Sequence, residues 1–389
     1  DFGKLKLSFF FECRTSVVMR WFKTETWQDR AEHAASTGKL SLMLDANLAE
    51  QAKDFGKWLA TDTTLQRLSV RANEDTDAGD DVARHLGVAL RMNRSLQVLR
   101  FTGCCLTCKG GAMLANALRE NQTLREVVVH NNWIGDTGAQ HIGKALRENR
   151  MLHTLGLARN GVGSEGAGYL GRGLRENRAL QNLDLSGNGI GDVGAEHLAE
   201  ALATNKTMRV LVLSSNKLSD KGVQHLATGL AQNWALKTLA LNRSRCTIGN
   251  AGARSLAKAL CANCALEDLD LSMNRVGPEG VRDLADALRR NSSLRELQFS
   301  GMIDLSGVSD VCRRIEELIE HNKPVIDVSS PFSPSSTTSS RSFVVSPVSA
   351  STKAVSNCTL SPHGGWKCQV TGTWFAFDPD AEPKMAEAV

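Results

Sequence analysis

The sequence predicts an α/β solenoid of about ten strand–helix repeats, and three observations lead to that fold class. An apolar residue recurs every 28 residues, at Leu96, Leu124, Leu152, Leu180, Met208 and Leu236. After each of these residues, apolar and other side chains alternate as in a short strand. Each strand-like stretch is then followed by apolar residues at helical spacing. Strand and helix therefore alternate along most of the chain.

The stretch from Leu180 to Lys206 shows one unit most clearly. It opens with Leu-x-x-Leu-x-Leu-x-x-Asn-x-Ile, the leucine-rich-repeat template. A helix follows, with its apolar stripe at Ala195, Leu198, Ala199 and Leu202. Asp192 stands just before this stripe, where a carboxylate is expected to cap the first turn of its own helix. One such unit cannot bury its apolar face alone, so neighbouring units must stack on it.

The stacked units are expected to form a horseshoe. Parallel strands lie about 4.8 Å apart, whereas packed helices need roughly 8–10 Å. The stack must therefore bend with its strands on the inside, which gives a concave parallel β-sheet and convex helices.

Four regions follow from changes in pattern along the chain. Residues 1–38 do not fit the repeat and are expected to form an N-terminal cap, with a helix from Thr24 to Ala35. Residues 39–328 form the leucine-rich-repeat domain, which ends in a closing strand at Val325–Val328. Residues 329–362 are rich in Ser, Thr and Pro and are expected to be a disordered linker. Residues 363–389 form a C-terminal tail with a possible β-hairpin around Thr371-Gly372.

Two columns of asparagines run through the repeats. One column precedes the strands and includes Asn93, Asn121, Asn149, Asn177 and Asn205. Asn tolerates left-handed or turn backbone, so this column is expected to end the helices. The second column includes Asn47, Asn73, Asn132, Asn160, Asn188, Asn216 and Asn274. It is expected to hydrogen-bond backbone groups left unpaired where the chain leaves each strand. Cys104 and Cys246 are expected to fill the same position in their units.

The complete unit resembles the ribonuclease-inhibitor-type leucine-rich repeat. The resemblance rests on the strand template, the following Gly-Asp-x-Gly-Ala (Gly135–Ala139 and Gly191–Ala195) and a helix ending in Ala-Leu-x-x-Asn (Ala201–Asn205). This repeat is similar to those of NOD-like receptors, ribonuclease inhibitor and Ran GTPase-activating proteins. The resemblance implies protein recognition, but it carries over no functional residue. This chain differs from those families because it contains no nucleotide-binding domain, is slightly basic, and has a Ser/Pro-rich tail in place of an acidic one.

Composition narrows the functional classes. The net charge of +4 is too small to indicate nucleic acid or an anionic membrane as a partner. No apolar run reaches the roughly 18 residues of a membrane helix. The 10 cysteines show no regular spacing, which favours free thiols and a cytoplasmic location. The chain begins at Asp1, and we expect it to be a fragment or a processed form.

No constellation in the sequence favours chemistry. Gly138–Ala145 nearly matches a phosphate loop, but Ala145 stands where that loop needs Ser or Thr. The Cys105–Cys108 and Cys261–Cys264 pairs are too many repeats apart to share a metal. Cys108 occupies the position of Asp136 at a helix start, where a reactive thiol is an alternative to a tolerated small residue. We expect no catalysis, no metal and no cofactor.

The predicted binding surface is the concave face with its adjoining turns. Strand residues that point away from the buried leucines are basic in the first repeats, small in the middle and acidic in the last. Trp133 and Trp234 stand at positions that are polar in other units, so both are expected to be exposed. The predicted partner-binding residues are Arg67, Arg71, Arg100, His130, Trp133, Arg159, Asp184, Trp234, Asp268, Asp270 and Glu296.

These features predict a non-catalytic protein–protein interaction module, with NOD-like-receptor-like regulation or scaffolding as its role. Two alternatives stay open: a Ran-type small-GTPase-activating protein, or a structural subunit of a large assembly. The partner is expected to be a protein and neither nucleic acid nor membrane. The chain itself is expected to be a monomer or a subunit of a complex.

Overall fold

The structure is a computed structural model that describes residues 27–44, 46–72, 78–244, 248–301, 308–322, 358–360, 366–370 and 373–377. The chain divides into two units, Asp1–Val325 and Ile326–Val389, and each is considered by itself. Of the predicted elements, residues 24–26 of the helix expected from Thr24 to Ala35 and the closing strand at 325–328 lie outside the described residues.

The first unit contains one parallel sheet of ten strands, in which the spatial order equals the chain order. Each strand pairs in register with the equivalent residues of the next repeat, as Leu183 does with Leu211. The strands are β1 (Lys39–Leu44), β2 (Arg67–Ala72), β3 (Val98–Thr102), β4 (Glu126–Val128), β5 (Thr154–Gly156), β6 (Asn182–Asp184), β7 (Val210–Val212), β8 (Thr238–Ala240), β9 (Asp268–Asp270) and β10 (Glu296–Gln298).

A helix follows each strand and packs against the helices of the repeats beside it. A further helix, α1 (Trp27–Thr37), precedes the sheet. The others are α2 (Ala46–Thr61), α3 (Gly79–Met92), α4 (Cys108–Glu120), α5 (Gly135–Glu148), α6 (Ser164–Glu176), α7 (Asp192–Thr204), α8 (Asp220–Gln232), α9 (Asn250–Ala262), α10 (Pro278–Leu288) and α11 (Ser309–Asn322). This alternation confirms the predicted leucine-rich-repeat solenoid.

The core lies between the sheet and the helices. In β6, Leu183 is buried while its neighbours Asn182 and Asp184 are half-buried on the opposite, concave face. The buried side meets helix residues such as Leu198 and Leu202. At the first repeats, α1 contributes Trp27, whose ring lies 5.2 Å from that of Phe55 in an edge-on arrangement. The strand period of two thus separates a uniform apolar face from a varied solvent-facing one.

The second asparagine column forms the hydrogen bonds that its position predicts. Asn188 Oδ1 accepts the backbone N–H groups of Asn160 and Val162, and its Nδ2 donates to the carbonyl oxygens of Leu157 and Leu185. Cys104 occupies this column as expected and is buried. In the repeat for which Cys246 is predicted, Ser244 donates from Oγ to the Leu241 carbonyl. Cys246 itself, Asn73 and the side chain of Asn47 lie outside the described residues.

The first asparagine column ends helices α3 to α9 as predicted, but for a different structural reason. Its members have extended backbone, as in Asn177 with φ −71° and ψ 140°, and not the left-handed conformation. Asn177 Nδ2 donates to the carbonyls of Leu146 and Asn149 in the preceding repeat. Its Oδ1 accepts the N–H groups of Ala179 and Leu180. Asn is therefore needed for its amide, which joins two repeats.

The helix-capping role predicted for Asp192 is also wrong. Asp192 is the first residue of α7, whose N-cap is Gly191. Its carboxylate accepts the N–H groups of Ser219 and Gly222 instead, at 2.9 and 3.0 Å, and thus caps α8 of the next repeat. Asp136 and Asp220 contact the following repeat in the same way. Stacking places each carboxylate nearer to the neighbouring helix start than to its own.

The second unit contains an antiparallel sheet of three strands: β11 (Cys358–Leu360), β12 (Trp366–Val370) and β13 (Thr373–Phe377). Strands β12 and β13 are joined across residues 371–372, at the position of the predicted hairpin. Strand β11 pairs with β12 and lies within residues 329–362, for which the composition predicts a linker. Among the described residues of the chain, none of the helices is both long and apolar enough to cross a bilayer.

Candidate protein-binding surface

The basic end of the concave face lies on β2 and β3. Arg67 and Arg71 are exposed on β2. Arg100 on β3 is also exposed, but its guanidinium donates to Glu126 Oε1 through Nε at 2.9 Å and through an Nη at 2.7 Å. Of these three predicted anchors, Arg67 and Arg71 are therefore the ones available to an acidic group, since Arg100 already holds a carboxylate.

At the centre of the concave face, residues of three successive repeats lie close together. The His130 ring lies directly over Gly156, where a Cβ would meet its Nε2 at 2.4 Å. The same Nε2 lies 3.4 Å from Asp184 Oδ2. Asp184 Oδ1 accepts the Ser186 N–H at 2.9 Å, which fixes the carboxylate. The His130 ring thus lies close to Asp184 through the space that Gly156 leaves open, and its Nε2 is buried without a hydrogen-bond partner among the described residues.

Burial lowers the pKa of His130 from its usual value, and the positive charge of Arg100 adds to this effect. The Asp184 carboxylate opposes it by favouring the charged ring, but burial is the larger cause. The imidazole is therefore neutral at pH 7. His130 is one of the predicted partner-binding residues, and its ring is half-buried beside Asp184.

The acidic end of the concave face lies on β9 and β10. Asp268 and Glu296 occupy equivalent positions on these neighbouring strands. Asp268 Oδ2 accepts a hydrogen bond from the Thr238 hydroxyl at 2.9 Å. Burial raises the pKa of Asp268, and Glu296 and Glu267 add to the rise, against the lowering effects of Thr238 and Arg295. Asp270 Oδ1 accepts the Ser272 N–H, in the same local turn as that of Asp184.

The β–α loops, which follow the strands at one edge of the sheet, share a left-handed residue. This residue is at φ +53° in Arg159, +56° in Arg243 and +58° in Met273. Its N–H donates to the next repeat, as from Arg159 to the Ser186 carbonyl at 2.8 Å. The repeat geometry therefore imposes the conformation, whatever the side chain. The complete column is Gly103, Asn131, Arg159, Gly187, Ser215, Arg243, Met273 and Gly301.

The two predicted tryptophans lie at opposite edges of the sheet. Trp133 follows β4 in a β–α loop and is 72% exposed. Trp234 stands between α8 and β8, at the edge where the strands begin, and is 69% exposed. Both are as open to solvent as their polar positions predict. The two tryptophans therefore cannot belong to one local patch. Trp133 lies in the loop next to that of Arg159, at the edge opposite to Trp234.

Most of the candidate residues could be placed from the repeat register, but their contacts could not. Arg100 pairs with Glu126, His130 lies 3.4 Å from Asp184 without a hydrogen bond, and Arg67 and Arg71 take part in neither contact. Sequence reasoning missed Arg243 and Met273. Their signal was present, because both align with Gly103, Gly187 and Gly301. A bulky residue at a position that is Gly, Asn or Ser in other repeats indicates left-handed backbone that a side chain occupies at a cost.

The cysteines form no site in the part of the chain that the structure describes. Cys104, Cys105, Cys108, Cys261, Cys264 and Cys312 are free. Cys108 is the first residue of α4 and not its N-cap, which is Thr107. Within the described ranges, no group of three or more His, Cys, Asp or Glu residues is placed to hold a metal. The near match to a phosphate loop, Gly138–Ala145, lies within helix α5.

Six segments of the chain match the model of the leucine-rich repeat family: residues 93–115, 120–143, 148–171, 176–199, 204–227 and 262–285. The one interruption, between residues 227 and 262, includes the repeat in which residues are inserted after Ser244. No curated protein matches the chain.

Among solved structures, the chain is similar to one described as "Leiomodin-1 Actin-Binding Site 2 (ABS2)", with 16% identity, a TM-score of 0.29, and coverage of 55% of this chain and 88% of that one. It is also similar to the tropomodulin C-terminal domain of Caenorhabditis elegans, with 15% identity, a TM-score of 0.28, and coverage of 55% and 92%.

Proposed function

We propose that the chain is a non-catalytic protein-interaction module whose partner binds the concave face and the β–α loops. Leucine-rich repeats imply protein interaction, and the structure supports this choice of surface in three ways. The concave positions vary in chemistry, whereas the core positions repeat. Their charges separate toward the two ends. Their neighbouring β–α loops carry exposed Trp133 and Arg159.

The observation that carries the proposal is the group of acids at the end of the sheet. Asp268 is half-buried, it stands beside Glu296, and its pKa is raised. The folded protein thus holds a carboxylate under repulsion and partial desolvation at neutral pH. A lysine or arginine of a partner would relieve this cost on binding. Arg67 and Arg71 at the other end complete a surface suited to a partner of opposite polarity.

The repeat is proposed to be of the ribonuclease-inhibitor type, in which each short strand is followed by a full α-helix. In this chain three-residue strands alternate with 13-residue helices, as in β6 and α7. A regulatory or scaffolding role in the cytoplasm is part of the same proposal. The free thiols among the described cysteines fit a reducing compartment. Burial raises the pKa of Cys104 to about 12, which keeps that thiol protonated and unreactive.

Cross-linking capture from native lysate tests the proposal, with the full chain as bait. The concave variant is Arg67→Ala, Arg71→Ala, Asp268→Asn and Asp270→Asn, which leaves the net charge unchanged. The control variant changes two cations and two anions on the helices: Lys144→Ala, Lys258→Ala, Glu196→Gln and Asp286→Asn.

We expect a protein that the wild type and the control retain and the concave variant loses. Equal retention by all three would place the interface elsewhere and contradict the proposal. Circular dichroism of each variant would show whether a loss of capture comes from unfolding.

A further inference from the structure

The β–α loops that follow β3 to β9 carry a charge imbalance that the whole chain lacks. The whole chain has 46 Lys and Arg residues against 42 Asp and Glu residues. The loops that follow β3 to β9 contain no Asp or Glu in residues 102–107, 130–135, 158–163, 186–191, 214–219, 242–249 and 272–277, whereas the loop after β2 contains Glu74, Asp75 and Asp77. They do contain Arg159, Lys217, Arg243 and Arg275, and all four are exposed. We name these four residues, with Trp133 and Met273, the β–α rim.

The acids nearest to the rim in sequence are already bound. Asp136, Asp192 and Asp220 begin their helices, and each uses Oδ1 to accept two N–H groups at the next helix start. Their negative charge is directed at the positive end of a helix dipole. It is therefore turned away from the rim, whose cations have no counter-charge within their own loops.

The cations of the helices differ from those of the rim. Arg91, Arg119 and Arg147 each contact a glutamate of the following repeat, at 2.7, 2.9 and 3.0 Å. Among the described residues, the rim cations form no such ion pair. Pairing across repeats is thus the ordinary arrangement for arginine in this solenoid, and the rim departs from it.

At three positions of the rim, a residue with a side chain has a backbone conformation that glycine adopts with less strain. Arg159, Arg243 and Met273 have left-handed backbone, which strains any residue with a Cβ. Gly103, Gly187 and Gly301 fill the same position in other repeats. A side chain from the preceding repeat packs against two of these glycines. A Cβ on Gly187 would lie 2.6 Å from Arg159 Cγ, and one on Gly301 would lie 3.3 Å from Met273 Cγ.

Large apolar side chains accompany the charges. Trp133 is 72% exposed and lies in the loop before that of Arg159, and Met273 is 55% exposed in the same loop as Arg275. Aromatic residues, Met and Arg are the types enriched in protein interfaces. Such side chains favour a protein over a polyanion without apolar groups.

We propose that the β–α rim binds an acidic, extended segment of a protein partner, whose carboxylates contact Arg159, Lys217, Arg243 and Arg275. Apolar residues flanking that segment contact Trp133 and Met273. Successive repeats stand about 4.8 Å apart at the strands, so a segment lying along the rim meets a new loop every one to two residues. This inference rests on the proposed function and specifies the chemistry of the partner at one edge of its surface.

The probe for the test is a fluorescein-labelled peptide of ten glutamates, with binding followed by fluorescence anisotropy at low salt. The rim variant is Arg159→Gly, Lys217→Ala, Arg243→Gly and Arg275→Ala in the full chain. The control variant removes four exposed cations elsewhere: Lys144→Ala, Lys258→Ala, Arg282→Ala and Arg290→Ala. We expect the affinity to fall at least tenfold in the rim variant and to stay within twofold in the control.

Melting temperatures distinguish a binding role of Arg159 and Arg243 from a structural role. Because glycine relieves left-handed strain, the single variants Arg159→Gly and Arg243→Gly should each raise the melting temperature by roughly 2 °C while weakening peptide binding. Loss of binding then cannot come from unfolding. A lower melting temperature in both variants would show that these side chains support the fold, and it would overturn the proposal.

Two further outcomes would also overturn it: peptide binding that falls equally in the rim and control variants, or tighter binding of a ten-nucleotide single-stranded DNA than of the peptide. Either outcome is compatible with capture of a partner through the concave face. Failure of the rim inference would therefore leave the proposed function standing. Loss of the partner in neither the concave variant nor the rim variant would contradict both.

Discussion

At the scale of single residues, the fold depends on buried asparagines that join adjacent repeats. Asn188 is 4% exposed and satisfies two N–H groups and two carbonyl groups that would otherwise be buried without partners. Asn160 occupies the same position but uses only its Nδ2 in this way, because its Oδ1 has no hydrogen-bond partner. The two positions thus differ in how many backbone groups they satisfy.

Asn188→Ala should therefore destabilise the protein more than Asn160→Ala. We expect a loss of about 4 kcal/mol for Asn188→Ala and about half of that for Asn160→Ala, since each buried polar group left unpaired costs about 1–3 kcal/mol. Thermal denaturation of the two variants measures the order. Equal melting temperatures would contradict the role given to Asn188 Oδ1.

His130 is the residue whose protonation should matter for stability. Burial holds its pKa below the usual value of 6.5, so the unfolded chain binds a proton more readily than the folded one. The contribution of the neutral ring to stability is complete above about pH 6.5. It is lost as the pH falls through the lower, folded-state pKa.

The variant His130→Gln should remove this part of the acid sensitivity. Between pH 7.5 and pH 5.5 the melting temperature of the wild type should fall more steeply than that of the variant. Melting curves across this range measure the difference. An identical slope in both proteins would show that His130 is not desolvated over Gly156.

At the scale of elements, the starts of α4, α6, α8, α9 and α10 are each held by a side chain from the repeat before. Asp192 Oδ1 contacts Ser219 and Gly222 at the start of α8, and Asn250 makes the equivalent contacts to Gly277 and Gly280 at 2.7 and 3.2 Å. An amide oxygen therefore serves at this position as well as a carboxylate does. Because a residue at the start of one helix caps the helix of the next repeat, the stabilities of the two helices are coupled.

Asp192→Ala should accordingly loosen α8 and leave the start of α7 unchanged. We expect a destabilisation of about 1–2 kcal/mol, the usual cost of losing a cap, and faster amide exchange at Ser219 and Gly222. Asp192→Asn is the matched control and should keep most of the stability. Faster exchange confined to the first turn of α7 would indicate that Asp192 caps its own helix after all.

The register of the repeats could be predicted from the sequence, whereas the contacts between repeats could not. The 28-residue spacing places Leu183 in the core and Asp184 on the concave face without reference to the structure. The partner of Asp192 is 27 residues away, and that of Arg100 is 26 residues away. No local pattern contains such pairs. The contacts of His130 could not be predicted for the same reason, since they involve Gly156 and Asp184 in two later repeats.

At the scale of the whole solenoid, the two faces differ in what holds their side chains. On the helix face, ion pairs connect neighbouring repeats, such as the pair of Arg119 with Glu148. The concave face contains one such pair, Arg100 with Glu126, but together with the β–α rim it also holds charges without such a partner or under repulsion, such as Arg243 and Asp268. Surface ion pairs contribute little stability, about 0–1 kcal/mol each. The contrast therefore bears on recognition more than on folding.

Hydroxyl-radical footprinting of the full chain, alone and with the protein retained by capture, tests the central claim most directly. The chain supplies its own probes, because Met43 on β1, Trp133 and Met273 lie on the proposed surface and Met92 and Met113 lie on the helices. We predict that the partner slows oxidation of Met43, Trp133 and Met273 and leaves Met92 and Met113 unchanged. Protection of Met92 and Met113 alone would contradict the claim and place the partner on the helices.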